Sequence, residues 1–300
     1  MDKRARTTWT KSSEKIKEMQ KVSKPFTVPK APEILYRNEL YKIIKAMIKD
    51  YKSVLGIYRD KQEQVAMDAE GTWLTTDINK KLDELGRKWG KNFEIFAKAH
   101  SKKFVEKMLR LTNTQIKQVM KDWFADNRLE LFGQVIPSEL KQVMNANMAY
   151  NVSLIKSIAP QYHDRVLGAV MRSVNGGGSL KQLTIEIARY GGMEMRRAKL
   201  IAADQTAKVY NNLILNDCKR LGVKKMKWFH TGAREPRILH ITKFNGDYSN
   251  YPHVNGLNGL IFDIDNPPVI QEKKGRQPEK RGYPSNLPFC HCSWRSVFEE

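Results

Sequence analysis

The sequence predicts an α+β fold: a mainly helical N-terminal two-thirds, then a small C-terminal domain of short strands packed on a long helix. Three observations support this prediction. Apolar residues recur every three or four positions after residue 32, a long helical pattern ends at Gly222, and short aromatic and β-branched runs separated by Asn, Gly and Pro follow from Met226. At 300 residues the chain is long enough for two such parts.

The first segment, residues 1–32, predicts an extended basic arm. It holds few apolar residues, and Pro25, Pro29 and Pro32 are spaced so that a continuous helix cannot form. Two interpretations stay open: an arm that lies on a partner or on nucleic acid, and a disordered tail. We expect a helical domain at 33–160 and a C-terminal domain at 161–300.

The helical pattern is clearest in "ELYKIIKAMIKDYKSVLGIYRD", where an apolar stripe predicts a buried helix face. A second helix is expected to be capped by Asp77 and to continue through Phe104 and Met108. Further helical patterns occupy residues 115–127 and 138–157. The stripe of the first helix consists of Leu40, Ile43, Ile44, Met47, Ile48, Tyr51, Val54, Leu55 and Tyr58.

Glycines interrupt the pattern at two places. "NGGGSL" is followed by no Lys-Ser/Thr and preceded by no strand, so it predicts a turn with Ser179 capping the next helix, and not a phosphate-binding loop. Gly191-Gly192 is expected to be a second break. The helical stretch after it ends at Gly222, a suitable C-terminal cap.

The C-terminal part contains three predicted strands, "KMKWFHTG", "GLIFDID" and "SWRSVF". Between the last two lies "DNPPVIQEKKGRQPEKRGYPSNLP", whose polar and turn-forming residues predict an exposed, mobile loop. Basic residues in this loop are candidates for binding nucleic acid: Lys273, Lys274, Arg276, Lys280 and Arg281.

Charge is the most unusual property of the composition. The chain has 53 Lys and Arg against 32 Asp and Glu, a net charge of +21, so a polyanion such as DNA or RNA, or an acidic protein surface, is the expected partner. No apolar run is long enough to span a bilayer, and the basic N-terminus lacks the apolar segment typical of a signal peptide, so we expect synthesis in the cytosol without membrane insertion. Three cysteines do not form a disulfide framework.

Three segments, in order, resemble a known family: "RRAKLIAADQTAKVYNN", "WFHTGAREPRILHITKFNG" and "GYPSNLPFCHCSWRSVF". Together they are similar to the C-terminal domain of the phage Mu F-like minor head proteins, the head-morphogenesis family of tailed bacteriophages. The resemblance covers roughly residues 150–300. The chain departs from the family at Ala203 and His291, where family members often have Arg, and it lacks the Cys-x-x-Cys that many have near "REPRILH". Structural motif residues under the resemblance are Asp204, Gln205, Thr206, Asn211, Arg237, His240 and Gly246.

The resemblance implies a non-enzymatic, minor component of the virion. Such a protein would act in head assembly, inside the head near the portal vertex, after synthesis in the bacterial cytoplasm. Its implied partners are the portal protein, the major capsid or scaffolding protein and packaged double-stranded DNA, with residues 33–160 docking on portal or capsid. The alternatives are a nucleic-acid-processing enzyme or effector carried in the virion, and a general basic DNA-binding module.

The site residues also allow more than one interpretation. Cys290 and Cys292 are too close in sequence to pair without strain. They could bind zinc with His240, His230 or His253, or they could be small buried groups on a terminal strand, which is the simpler expectation and needs no cofactor. His230, Arg237 and His240 are the candidates for nuclease-like catalysis. In the structural alternative, Arg237 and His240 hydrogen-bond residues 204–206. Cys218 is expected to lie in the core.

Overall fold

The computed structural model describes residues 20–65, 72–124, 129, 136–175, 179–231, 237–241, 256–273 and 276–299. Within these residues the chain is mainly helical, with short antiparallel strands towards its C-terminus, which confirms the predicted α+β class. It divides into two compact units. The helical unit comprises residues 30–107 and 144–205, and the strand unit comprises residues 1–29, 108–143 and 206–300.

Both units are discontinuous in sequence, so they differ from the domains expected at 33–160 and 161–300. The reason is that single long helices contribute residues to both units. The sequence predicts domain boundaries at linkers between helical patterns, and a boundary inside a helix has no such linker. No described helix combines the length and the apolar composition that a membrane span requires.

The predicted first helix is divided into α1 (Lys30–Tyr51) and α2 (Ser53–Val65). Its apolar stripe is confirmed as the core of the helical unit, since most of its members are fully buried and the others are half-buried. Polar atoms on the same face are also paired. The Tyr36 hydroxyl donates to the side-chain oxygen of Asn151 at 2.6 Å, and the Tyr51 hydroxyl lies 2.9 Å from His163 Nδ1.

The second helix, α3, runs from Thr72 to Met120. Its extension through Phe104 and Met108 is confirmed, but the predicted cap at Asp77 is wrong because the helix already includes this residue. Asp77 is exposed, and an exposed Asp inside a helix costs less than about 0.7 kcal/mol relative to Ala, so the helix continues through it. The pattern at 115–127 is helical only as far as Met120 within the described residues. The pattern at 138–157 is confirmed as α4 (Ser138–Lys156), and α5 (Ile158–Asn175) follows it.

The long helix α6 (Leu180–Arg220) has 41 residues and no break, so the predicted interruption at Gly191-Gly192 is wrong. Its start is as predicted, because the Gln182 N–H donates to Ser179 Oγ at 3.2 Å. It ends at Gly222, whose φ of +81° is the left-handed conformation of a C-terminal cap. Gly191 serves close packing: a Cβ there would lie 2.7 Å from Ile48 Cδ1.

The two adjacent glycines provide a matched test of this packing. Gly192→Ala is expected to raise the free energy of unfolding by up to about 1 kcal/mol, since nothing lies within 4 Å of the added methyl group and Ala favours a helix. Gly191→Ala should gain less or lose stability, because overpacking against Ile48 costs about 1–3 kcal/mol. Urea unfolding of both variants measures the difference. Adding Ile48→Val, which removes Cδ1 but keeps Cγ1 at 3.1 Å, should restore part of the gain. Equal effects at the two glycines would contradict the assignment.

The strand unit contains a four-stranded antiparallel sheet whose strands lie in the order β1 (Gln20–Val22), β6 (Ser293–Glu299), β2 (Lys225–Phe229) and β3 (Ile261–Asp263). The three predicted strands are confirmed within β2 (Lys225–Phe229), β3 (Ile261–Asp263) and β6 (Ser293–Glu299). Trp228 and Trp294 pair directly across β2 and β6, and both are buried. The last helical residues also belong to this core, where Cys218 is fully buried as predicted.

The edge strand β1 (Gln20–Val22) comes from the segment expected to be an arm. It pairs with β6, and Phe26 just after it is fully buried, so residues 20–26 pack on the chain's own sheet. The physical reason is that the open edge of β6 has backbone groups that an extended segment can satisfy. Residues 1–19 of the predicted arm lie outside the described residues.

A second difference concerns the predicted mobile loop. It contains a two-stranded sheet, β4 (Val269–Gln271) paired with β5 (Lys280–Arg281). Ile270 is buried and anchors this hairpin. Four of the basic residues considered for nucleic-acid binding are exposed, as expected: Lys273, Arg276, Lys280 and Arg281. The fifth, Lys274, lies outside the described residues.

Candidate metal centre

Three separate segments of the strand unit bring histidine and cysteine side chains together. His230 follows the end of β2, His240 ends a short 3-10 helix (Ile238–His240), and Cys290 and Cys292 lie just before β6. A turn in which the Cys290 N–H donates to the Leu287 carbonyl, at 3.2 Å, leads into the cysteine pair. The sequence therefore folds so that residues separated by up to 62 positions, as in His230 and Cys292, become neighbours.

The ligand atoms of three of these residues point at one another. His240 Nδ1 lies 3.5 Å from Cys290 Sγ and 3.7 Å from Cys292 Sγ. All three atoms are within 4.8 Å of one another, and the three residues are buried. His230 Nδ1 approaches from another side, 3.4 Å from Cys292 Sγ. His230 itself is partly exposed.

A backbone carbonyl orients the His240 ring. Its Nε2 is 3.2 Å from the Ile270 carbonyl oxygen, and a carbonyl can only accept, so Nε2 carries the proton of the neutral ring. Nδ1 then presents its lone pair to the two sulfur atoms. The Trp228 ring packs against the other side of the imidazole, with ring centroids 5.2 Å apart. This orientation, with the distal nitrogen donating to a carbonyl, is typical of histidines that bind metal ions.

The electrostatics of the two thiols favour a bound cation. A hydrogen bond from Cys292 lowers the pKa of Cys290 in spite of burial. The same hydrogen bond to Cys290 raises the pKa of Cys292, and burial and the negative charge on Cys290 raise it further. The first thiolate therefore forms readily, whereas the second needs a positive charge beside it. Burial also lowers the pKa of His230, which keeps that ring neutral and able to act as a ligand.

Hydrogen bonds hold the segment around the cysteines in place. Asn211 on α6 donates to Ser285 Oγ at 2.6 Å, and Ser285 Oγ in turn donates to the Cys292 carbonyl at 3.1 Å. Thr231 Oγ1 donates to the His291 carbonyl at 2.9 Å. Arg237 donates to the Pro288 carbonyl at 2.7 Å. The cysteine segment is thus held by groups from α6, from the end of β2 and from beside the 3-10 helix.

The structure brings together four of the residues considered as ligands from the sequence: His230, His240, Cys290 and Cys292. Arg237 donates to the Pro288 carbonyl, and His240 donates to the Ile270 carbonyl. These partners differ from residues 204–206, which the sequence suggested. Asp204, Gln205 and Thr206 are buried in α6, where Gln205 donates to Asp204 at 3.1 Å. Gly246 and His253 lie outside the described residues.

Sequence reasoning missed Ser285 and the Ile270 carbonyl. Ser285 has a φ of 67°, a left-handed conformation that places its hydroxyl between Asn211 and Cys292. Its position in "YPSN" is a turn signal that could have drawn attention to it. The Ile270 carbonyl is a backbone atom, and no residue type in the sequence could have indicated its role.

Burial separates the two chemical interpretations of this cluster. His240 is 2% exposed, Cys290 is 4% exposed and Cys292 is 3% exposed, so these groups offer almost no surface to a substrate. Catalytic metal sites keep an open coordination position, whereas structural sites are enclosed by protein ligands. The arrangement therefore fits a structural metal site better than the nuclease-like site considered for His230, Arg237 and His240.

Comparison with known proteins shows a distant similarity to a protein without an assigned function. No protein-family model matches the chain, and no solved structure matches it. The chain is 27% identical over 254 residues to an uncharacterized protein of Haemophilus influenzae (strain ATCC 51907 / DSM 11121 / KW20 / Rd). The alignment covers 84% of this chain and 52% of the relative, so the chain spans about half the length of the curated relative it matches.

Proposed function

We propose that this chain is a minor head protein of a tailed bacteriophage, similar to phage Mu F, that acts in head morphogenesis at or near the portal and contacts packaged DNA. In this proposal it is a structural component and not an enzyme. It would be made in the bacterial cytoplasm and incorporated into the interior of the head. Its protein partners would be the portal protein and the major capsid or scaffolding protein.

The observation that carries this proposal is the packing of the three segments that resemble the family. Asn211 in the first segment donates to Ser285 in the third, and Arg237 in the second donates to Pro288 in the third. The second and third segments also share the histidine–cysteine cluster. Residues 206–212 of the first segment share the strand unit with the second and third segments. Segments that resemble one family pattern in order, and that also contact one another, support a common domain better than three separate sequence similarities would.

The charge supports the DNA part of the proposal. A net charge of +21 on 300 residues favours a location beside a polyanion, because each neutralised phosphate releases condensed counterions. The exposed residues Lys273, Arg276 and Lys280 lie on and around the β4–β5 hairpin, where they can reach a phosphate backbone. Contacts of this kind position a protein on DNA without reading its sequence.

The location is tested on particles purified from the bacterium that encodes this chain. We expect the chain in procapsids and mature heads at low copy number, and a reconstruction without imposed icosahedral symmetry should show it beside the portal. Absence of the chain from both kinds of particle, measured by mass spectrometry, would refute the proposal.

The DNA contact is tested with the purified chain. We expect Lys273→Gln, Arg276→Gln and Lys280→Gln together to weaken binding to double-stranded DNA by about tenfold at 0.1 M salt and to reduce the slope of log K against log salt by up to about 2.7. Arg281 is left in place because it bonds Asn266 and the Pro267 carbonyl. The matched control neutralises three exposed lysines of the helical unit, Lys45, Lys91 and Lys102. An equal loss in the control would exclude a specific role for the hairpin.

A further inference from the structure

We infer that Cys290, Cys292 and His240 bind a zinc ion, with His230 as the fourth ligand, and that this ion links β2, the 3-10 helix and β6. In a tetrahedral site with Zn–S of about 2.3 Å and Zn–N of about 2.05 Å, nitrogen and sulfur ligands lie about 3.6 Å apart. The three nitrogen–sulfur distances in the cluster are 3.4, 3.5 and 3.7 Å. His240 thus already has the separation from Cys290 and Cys292 that a zinc ion requires, whereas His230 contacts only Cys292 and must turn towards the ion to complete the site.

The donor set also selects the class of metal. Two sulfur and two imidazole ligands in a tetrahedral arrangement suit Zn(II), whereas Mg(II) and Ca(II) prefer oxygen ligands at higher coordination numbers. On binding, each thiol loses its proton to solvent and donates a sulfur lone pair to the ion. Two thiolates then balance the charge of Zn(II), so the ion can be held by groups as deeply buried as Cys290 and Cys292.

The position of the ligands defines what the ion does. Cys290 and His240 are 50 residues apart in sequence, and they are joined by a segment with little regular structure among its described residues. A metal ion that joins the ends of such a segment stabilises the fold by restricting the unfolded chain. Because four protein ligands leave no open position, the role is structural. The inference does not depend on the proposed function in the phage head.

The first test measures zinc in the full-length chain after expression in zinc-supplemented medium and purification without chelators. We expect about one zinc per chain in the wild type. Cys290→Ser and His240→Ala should each hold less than about a tenth of that amount, and His230→Ala should weaken affinity by more than about 100-fold. Two variants serve as matched controls and should keep the metal. Cys218→Ser changes a buried cysteine outside the cluster, and His291→Ala changes the residue between the two ligand cysteines.

The second test uses only the wild type, so that a variant that fails to fold does not affect the answer. Cobalt added to the metal-free chain should give the visible bands of a tetrahedral ion and the charge-transfer absorption of thiolate ligands. Removing zinc with a chelator should increase alkylation of Cys290 and Cys292 at least about tenfold while Cys218 stays protected. A wild type that lacks zinc and gives no thiolate–cobalt absorption overturns the inference, as does equal loss of zinc in Cys218→Ser and Cys290→Ser.

Discussion

Arg165→Met is expected to lower the free energy of unfolding by about 3 kcal/mol at neutral pH, because it leaves a buried carboxylate without its main partner. Glu194 lies on α6 inside the helical unit, and its side chain is fully buried. Arg165 on α5 donates to Glu194 Oε1. Arg197 is farther away, with Nη1 4.0 Å from Glu194 Oε2, and it donates instead to Ser157 Oγ at 2.7 Å. It can therefore replace Arg165 only in part.

The pH dependence of this effect has a definite sign. Burial raises the pKa of Glu194 above its ordinary value, although Arg165 and Arg197 oppose this shift. The stability associated with this group is thus greatest at low pH and is lost as the pH rises through the folded-state pKa. Without Arg165 the pKa should rise further. The cost of Arg165→Met should therefore shrink as the pH is lowered, because protonation removes the buried charge that Arg165 compensates.

The same helix supplies the control. Arg172 on α5 pairs with Glu186 at 3.1 Å, but the Arg172 side chain is 64% exposed, so Arg172→Met should cost clearly less than Arg165→Met. Urea unfolding at pH 7.5 and pH 4.5 gives the loss in unfolding free energy for each of the two substitutions at each pH. Equal costs for the two substitutions, or a cost of Arg165→Met that does not change with pH, would show that Glu194 is not a charged buried group.

Asp217→Asn is expected to make the chain more stable relative to the wild type as the pH rises from about 4 to about 7. Asp217 is fully buried near the end of α6 and pairs with Arg220 at 3.1 Å. Its second oxygen, Oδ2, has no hydrogen-bond partner within the described part of the chain. Burial therefore outweighs the pairing with Arg220 and raises the pKa of Asp217 from 3.8 to about 6.

A folded-state pKa above the unfolded value means that the folded chain holds the proton more tightly. The stability from this group is present below pH 3.8 and is lost as the pH rises through about 6. The pKa difference corresponds to about 3 kcal/mol. Asparagine does not titrate, so the stability of Asp217→Asn minus that of the wild type should increase by about 2–3 kcal/mol over this interval.

Asp265→Asn provides a control of opposite sign. Lys219 lowers the pKa of Asp265 through a hydrogen bond of 2.9 Å, so the wild-type carboxylate stabilises the fold at neutral pH and loses this effect in acid. Urea unfolding of the three proteins between pH 3.5 and pH 7.5 measures both effects. A difference between Asp217→Asn and the wild type that stays constant with pH would refute the prediction.

Most of the secondary structure could be predicted because it depends on local patterns. The apolar stripe from Leu40 to Tyr58 follows the period of a helix, and the aromatic and β-branched runs of β2, β3 and β6 follow those of strands. Ser179 and Gly222 could be identified as caps because capping depends on one residue and its immediate neighbours. These features need no knowledge of the rest of the fold.

Two of the errors came from features that depend on distant residues. Gly191 resembles a helix break in sequence, but it is a packing position because Ile48 lies against it. Residues 20–22 resemble part of a free arm, but they form a strand because the edge of β6 is available to them. Neither Ile48 nor β6 is close in sequence to the segment that it affects.

The sequence by itself determined the helix periods, the strand runs, the charge of +21 and the presence of two cysteines beside one histidine. Only the tertiary structure decided that His240 and Cys290, 50 residues apart, lie 3.5 Å from each other, and that the Ile270 carbonyl turns the imidazole towards the sulfur atoms. The physical reason is that periodicity and capping are local properties of the chain. A ligand set is created by long-range packing, which places side chains and backbone atoms in one small volume regardless of their separation in sequence.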